Sequence, residues 1–424
     1  MKKIVSITIV LLLLVSAWVY WLNVRGEASI LDNAPAPATD SQTIARGRYL
    51  AQAGNCMGCH TARGGAAFAG GVGIATSFGT IYSTNLTPDV RTGLGTWNAA
   101  HFWRAMHHGR GRDGRLLYPA FPYPNYTRVT RADSDAIYAY LRSLPHAVKT
   151  NRPHELRFPY GLQPALAIWR AAYFKPGIFA ADPARSVEWN RGAYLVHGLG
   201  HCSACHTPRN ALGATQSERE FKGGFVAQSG WYAPALTSER EAGVAQWDNA
   251  SVARLLQTGV APQRWVSGPM AEVVWSSTQH LSTTDAQAMA TYLKSLPTSA
   301  PAPAAAPAAA AAANLPSTEL LAAGAKLYEQ HCTSCHGADG KGVPGAYPPL
   351  AGSRAVTMAT PANLIQLTLY GGYAPSTAGN PRPFGMPPFA TALNDREIAT
   401  VLTFVRNAWG NAAAPVSELQ IHRQ

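Results

Sequence analysis

All six cysteines of this 424-residue chain fall in one repeated pattern. It reads Cys56-Met57-Gly58-Cys59-His60, then Cys202-Ser203-Ala204-Cys205-His206, then Cys332-Thr333-Ser334-Cys335-His336. A Cys-x-x-Cys pair alone also serves zinc or redox chemistry, but Cys-x-x-Cys-His is the attachment signature of a c-type haem. Two thiols three residues apart lie on one face of a helical turn, where both can add to the vinyl groups of one porphyrin. The adjacent imidazole then supplies the proximal nitrogen to iron. The spacing therefore predicts covalent haem on Cys56 and Cys59, on Cys202 and Cys205, and on Cys332 and Cys335, with His60, His206 and His336 as axial ligands. Three haems leave no thiol for a disulfide framework. Haem attachment in bacteria takes place outside the cytoplasm, so the pattern also reports the compartment.

A six-coordinate electron-transfer haem usually takes Met sulfur opposite His, which raises its potential. Met386 stands in Phe384-Gly385-Met386-Pro387-Pro388-Phe389, and Met270 in Gly268-Pro269-Met270. Both precede the last helix of their repeat, where a Pro-flanked loop can hold sulfur toward a ring. Both are expected as axial ligands, whereas Met289 and Met358 lack that setting and are expected to fill core. The first repeat departs from the pattern, because Phe121 in Leu117-Tyr118-Pro119-Ala120-Phe121-Pro122-Tyr123 stands at the matching place and cannot ligate iron. The stretch His101-Phe102-Trp103-Arg104-Ala105-Met106-His107-His108-Gly109 predicts a helix ending at Gly109, with Phe102 and Met106 on one face. Met106 is the expected ligand. His107 or His108 would give a bis-histidine haem of lower potential, and a five-coordinate iron is also open. Pro88, Pro234 and Pro349 occupy roughly matching places, either as turn formers or near a carbonyl that orients each proximal imidazole.

These residues need helices to position them, and the chain repeats the helices as it repeats the motif. Ala45-Arg46-Gly47-Arg48-Tyr49-Leu50, Asn190-Arg191-Gly192-Ala193-Tyr194-Leu195 and Ala323-Gly324-Ala325-Lys326-Leu327-Tyr328 each predict an amphipathic helix leading into a haem site. Helices beginning near Asp135, Asp285 and Asp395 close the three units, with acid in the first turn complementing the helix dipole. The first two stop at Ser-Leu-Pro, at Pro145 and Pro297. The expected architecture is all-α, with three tandem cytochrome c-like domains over residues 42–148, 186–297 and 316–412. Residues 149–185 are too apolar for a free linker and are expected to pack between the first two domains. Residues 298–315 are a Pro/Ala linker, and residues 413–424 a tail.

Ile4 to Val24 is apolar and long enough to span a bilayer core, with Trp18, Tyr20 and Trp21 near its far end. Residues 1–24 are read as a retained anchor, with a cleaved signal peptide as the competing reading; residues 25–41, including Ala34-Pro35-Ala36-Pro37-Ala38, are read as a spacer. Lys2 and Lys3 before the span place the haem domains on the periplasmic side of the cytoplasmic membrane. The formal net charge is +12, yet only 14% of residues are charged and they form no Lys/Arg blocks. Nucleic-acid binding therefore has little support, and a basic surface suits an anionic membrane or an acidic partner.

Together these residues resemble the three-haem cytochrome c subunit of bacterial membrane-bound dehydrogenases, the group serving alcohol, gluconate, sugar and aldehyde dehydrogenases. Arg191-Gly192-Ala193-Tyr194-Leu195, Cys205-His206-Thr207-Pro208-Arg209-Asn210, Thr84-Asn85-Leu86-Thr87-Pro88-Asp89 and Trp409-Gly410-Asn411 carry the resemblance. It implies an electron-transfer subunit without catalysis of its own, taking electrons from a dehydrogenase subunit and delivering them to ubiquinone, another cytochrome or an oxidase. Phe121 and the apparent anchor depart from that group. The Phe form looks more like the cytochromes that accompany molybdenum hydroxylases. A haem enzyme of peroxidase or reductase type would need an open distal position, for which only the first haem is in question. The cytochrome subunit of a terminal oxidase is the third class.

Overall fold

The computed structural model describes residues 1–30, 38–262, 264–298 and 316–424. Residues 31–37 of the spacer and nearly all of the Pro/Ala linker lie outside the described residues. Helix α1 (Lys2–Val24) is apolar along its whole length, with a mean hydropathy of 2.3 over its best window. Helices α2 (Ser41–Ala53) and α3 (Cys56–His60) carry the first motif; α4 (Ala99–Trp103) runs on into a π-helical turn at Arg104–His108; and α5 (Arg131–Arg142) closes the repeat. Helix α6 (Gln163–Tyr173) follows, then α7 (Val187–His197) and α8 (Ser203–His206) with the second motif, α9 (Pro269–Ser276) and α10 (Thr283–Lys294). Helices α11 (Thr318–His331) and α12 (Thr333–His336) carry the third motif, and α13 (Asp395–Val405) and α14 (Glu418–His422) end the chain.

Each repeat is built on one crossing, of the helix before the motif with the helix that closes the repeat. A glycine allows it. A methyl group on Gly47 would lie 1.9 Å from the Ala136 carbonyl oxygen, and one on Gly192 would lie 1.9 Å from that of Ala288. On Gly324 it would lie 2.5 Å from Phe404 Cβ. An aromatic ring stands beside each crossing, on Tyr140, Tyr292 or Phe404. In the first two repeats the residue before the glycine is arginine, and it pairs with an acid in the first turn of the closing helix. These pairs are Arg46 with Asp133, and Arg191 with Asp285 at 2.7 Å. The third repeat has no such pair; instead a capping box of Asn394 and Glu397 opens α13. Side-chain caps from Thr130 and Ser282 open α5 and α10. Helix α5 begins at Arg131, so its first-turn acid is Asp133 and not Asp135 as the charge pattern suggested. Helices α5 and α10 stop at Arg142 and Lys294, just ahead of the Ser-Leu-Pro signals.

The fold is mostly helical, but it also holds small antiparallel ladders that an all-α reading omits. Gly73–Thr76 pairs with Gly79–Tyr82, which pairs in turn with Glu155–Leu156; Gly372–Tyr373 pairs with Gly385–Met386. They are too short to leave a period in the sequence. By packing, the described residues form two compact units. One comprises 1–183 with 194–204 and 209–214; the other comprises 184–193, 205–208 and 215–424. The second unit joins most of two repeats. Within it Tyr232 and Asn363 exchange backbone and amide hydrogen bonds at 2.8 and 2.7 Å, and Arg354 donates to the Gly243 carbonyl.

Residues 149–183 fold onto the first unit. Glu155–Leu156 adds the third strand to its sheet, and α6 packs against the end of α1. The expected spacer is also partly engaged, since Glu27 pairs with Arg110 at 2.8 Å. The expected tail closes core in the second unit. Arg406 is 1% exposed and donates to the carbonyls of Ala414, Val356 and Met358, while Ile421 of α14 is buried.

Candidate haem-attachment sites

Each motif forms one short helical turn, and each histidine is held the same way. His60 Nδ1 lies 2.7 Å from the Thr84 carbonyl oxygen, His206 Nδ1 lies 2.7 Å from that of Pro234, and His336 Nδ1 lies 3.0 Å from that of Pro348. A carbonyl oxygen can only accept, so Nδ1 carries the proton in all three rings. Nε2 is then the atom with the free lone pair, the tautomer an axial iron ligand requires. Burial pushes all three imidazoles below their ordinary value, against the opposing effect of the carbonyl bond. They are therefore neutral at neutral pH. Of the three prolines singled out by position, Pro234 supplies its carbonyl directly. The acceptor in the third repeat is Pro348, one residue before Pro349; in the first it is Thr84, four before Pro88. Position alone could not separate neighbouring carbonyls, because every residue offers one.

The surroundings of Cys56 and Cys332 do not favour a reactive thiolate. None of the six cysteines is joined in a disulfide. Burial, reinforced by the second thiol of the pair, pushes Cys56 up to about 12 and Cys332 up to about 11. A nucleophilic Cys-x-x-Cys pair works with a lowered pKa. Among the described residues no group of three or more His, Cys, Asp or Glu side chains is placed to hold a metal ion. Two thiols and one oriented imidazole per motif are the donor set that haem c needs from a protein, since the porphyrin brings the remaining nitrogens.

The candidate distal groups differ in setting. Met106 is 3% exposed and belongs to the core cluster of the first repeat with Leu50, Phe102 and Tyr126, against which Cys56 and Phe121 pack. It lies in the π-helical turn, a feature that the residue pattern does not announce and that recurs at functional sites. The turn ends at Gly109 as expected. His107 and His108 are buried as well, but with other partners. His107 stacks on Trp103 with centroids 4.4 Å apart and meets the Thr127 hydroxyl. His108 abuts the His107 ring; burial, reinforced by the neighbouring His107, Arg170, Arg110 and Arg104, pushes it down to about 4. Met270 sits in the first turn of α9, after Gly268 at φ 53°, where a side chain would strike the Trp231 ring. Met386 sits in a two-residue strand paired with Gly372–Tyr373 and is half-buried. Met289 and Met358 are buried in core.

Around the third motif, groups distant in sequence fix the turn. Trp409 Nε1 donates to the Ala338 carbonyl at 3.0 Å, and the Asn411 amide donates to the Leu350 and Val405 carbonyls. Tyr328 donates to the Gly337 carbonyl at 2.7 Å. In the first repeat the Tyr126 hydroxyl donates to the Gly54 carbonyl at 2.9 Å, just before the motif.

The sequence matches the cytochrome c family over residues 44–145 and 321–409. It is 37% identical over 390 residues to the cytochrome c subunit of the quinone alcohol dehydrogenase of Gluconacetobacter polyoxogenes, spanning 90% of this chain and 83% of that protein. It is 37% identical over 401 residues to the gluconate 2-dehydrogenase cytochrome c subunit of Pantoea cypripedii, spanning 92% of this chain and 90% of that protein. It is 36% identical over 421 residues to the fructose dehydrogenase cytochrome subunit of Gluconobacter japonicus, spanning 93% of this chain and 84% of that protein.

Proposed function

The chain belongs to the family of dehydrogenase cytochrome c subunits, and from that membership we propose that it is a three-haem, membrane-anchored cytochrome serving a separate dehydrogenase subunit. It is an electron-transfer component and not the catalytic subunit. Electrons enter from the dehydrogenase and leave to ubiquinone or a downstream carrier of the respiratory chain, on the periplasmic face. The observation that carries the reading is the threefold Cys-x-x-Cys-His turn whose histidine donates Nδ1–H to a backbone carbonyl.

Bound haem would supply reversible one-electron iron chemistry at each site. The residues do the rest. Cys56 and Cys59, Cys202 and Cys205, and Cys332 and Cys335 would tether it, and His60, His206 and His336 would offer Nε2 to its iron. Met270, Met386 and Met106 are the sulfurs proposed for the opposite face, and a thioether there raises the potential relative to a second imidazole. For Met106 the support is its place in one cluster with Cys56, while His107 and His108 engage Trp103 and each other. Three domains over residues 42–148, 186–297 and 316–412 are supported by the three glycine crossings, one per motif.

The end of α1 is used by the rest of the first unit. Asn23 donates to the Ala167 carbonyl at 2.9 Å and accepts from Arg170 Nε at 2.9 Å, and Glu27 holds Arg110. A leader cleaved near Ala17 would leave Asn23 and Glu27 in place, so the reading of retention rests on the apolar helix running on past Ala17 to Val24. Purification from detergent-solubilised membranes tests the whole reading. A haem-to-protein ratio of three and a copurifying dehydrogenase subunit are expected. A ratio of two, or purification without any dehydrogenase under conditions that keep such complexes intact, would reject the corresponding part. Carbon monoxide binding to the reduced protein at one haem would favour an enzyme of peroxidase or reductase type.

A further inference from the structure

Helix α6 is amphipathic the wrong way round for a helix facing water. Its one charged residue, Arg170, is 3% exposed and points inward. There it donates to Asn23 and stacks its guanidinium 5.0 Å over the Tyr123 ring and 4.8 Å over the Phe174 ring. The outward positions Pro164, Ile168 and Ala172, four residues apart, are all apolar and exposed. The chain leading into the helix continues this face, with Phe158 85% and Leu162 47% exposed. A soluble surface rarely collects such residues without something to cover them.

What covers them is indicated by where the helix is fastened. A helix of 23 residues is about 35 Å long, slightly more than the roughly 30 Å hydrocarbon core. Asn23, at its end, therefore sits just past the hydrocarbon edge, where Trp18 and Trp21 also gather. The middle of α6 is tied to that residue twice, through Ala167 and Arg170. Helix α6 is thus held beside the end of α1, where the span leaves the hydrocarbon. Arg157 and Lys175, both exposed, flank the segment at its two ends. Arg157 is held by the Ser77 carbonyl, to which it donates, whereas the long stem of Lys175 lets its charge reach lipid headgroups while the apolar residues before it go deeper.

We propose that residues 158–175 form a second membrane contact, an interfacial helix whose apolar face lies in the headgroup–acyl boundary of the leaflet where α1 ends. Interfacial helices bury such a face about 5–10 Å deep. The buried Arg170–Asn23 link fixes the first haem unit against the membrane surface, where a hinge after the anchor would otherwise let it swing. This rests on the reading of α1 as a retained anchor.

The test uses the full haem-loaded chain in nanodiscs of phosphatidylcholine and phosphatidylglycerol. A nitroxide is placed through Ile168→Cys, at an exposed position that tolerates it, and in a second protein through Leu12→Cys in the span. Collision with oxygen, enriched in lipid, is compared with collision with a water-soluble nickel chelate. Oxygen is expected to dominate at both sites. The nickel chelate dominating at 168 while oxygen dominates at 12 would overturn the interfacial helix and leave the anchor standing. The nickel chelate dominating at both would overturn the anchor and this inference with it. A label at 168 that is shielded from both reagents would assign the face to protein packing instead, and would also overturn the proposal.

Discussion

At the scale of single residues the three motif histidines are held alike, whereas the methionines proposed opposite them sit in different settings. Backbone carbonyls of Thr84, Pro234 and Pro348 impose one tautomer on all three histidines. The thioethers proposed opposite them come from three kinds of local structure: a π-helical turn, a helix N-terminus and a hairpin strand. Replacing Met386 or Met270 with Leu removes a ligand and keeps the volume. Each variant is expected to lose one methionine-ligated haem in its optical and EPR spectra. The potential of that haem should shift by on the order of 0.1 V or more, within the roughly 0.8 V that axial ligation spans. Redox titration checks this, and unchanged midpoints would remove the residue from the ligand set. For the first haem, Met106→Leu is expected to change the spectrum, whereas His107→Gln and His108→Gln are expected to leave its ligation intact. The opposite result would make that haem bis-histidine.

At the scale of elements the recurring device is a helix crossing that only glycine permits. Gly47 and Gly192 are helical, so the reason for glycine is not a positive φ but a carbonyl oxygen within bonding distance of where Cβ would stand. Gly192→Ala is expected to push α7 and α10 apart and cost about 1–3 kcal/mol, the usual penalty for overpacking. Thermal or denaturant unfolding of the second unit reads the loss, and a wild-type midpoint would show that the crossing relaxes freely. Gly324→Ala meets Phe404 Cβ and the Thr400 carbonyl oxygen at greater distances, 2.5 and 2.8 Å, and is expected to cost less. The Arg191–Asp285 pair beside the second crossing gives a register lock, with Asp285 mostly buried and the guanidinium donating through two nitrogens.

For the molecule as a whole, the apolar helix α1 and the rest of the first unit behave as one piece of structure. Asn23 and Glu27 are used by the fold beyond the span, through Arg170 and Arg110. The mass of the mature protein purified from membranes is expected to include residues 1–24; a mass lacking the residues up to about Ala17 would identify a cleaved leader. Asn23→Ala is expected to leave the span in place but to loosen α6, since it strips two hydrogen bonds from a buried arginine and a helix carbonyl. Faster amide exchange over residues 163–173, with the haem spectra unchanged, is the readout.

Everything that a local pattern can specify was legible in the order of residues. The proposed haem-attaching cysteines and their histidines, from Cys56 to His336, are read from spacing alone, because attachment chemistry needs both thiols and the imidazole within one helical turn. The paired helices of each repeat and their stops before Ser-Leu-Pro follow from capping and proline chemistry. The apolar span follows from its length. Folding in three dimensions was needed to select the carbonyl that faces each imidazole, because all backbone carbonyls look alike in a sequence and distance chooses among them. The same holds for the π-helical turn that carries Met106, whose extra hydrogen-bond register leaves no period to read, and for the ladders of two to four residues. The number of compact units was also set there, since reciprocal bonds such as Tyr232 with Asn363 join residues far apart in the chain. Local chemistry is written residue by residue, whereas contacts between distant segments exist only once the chain has brought them together.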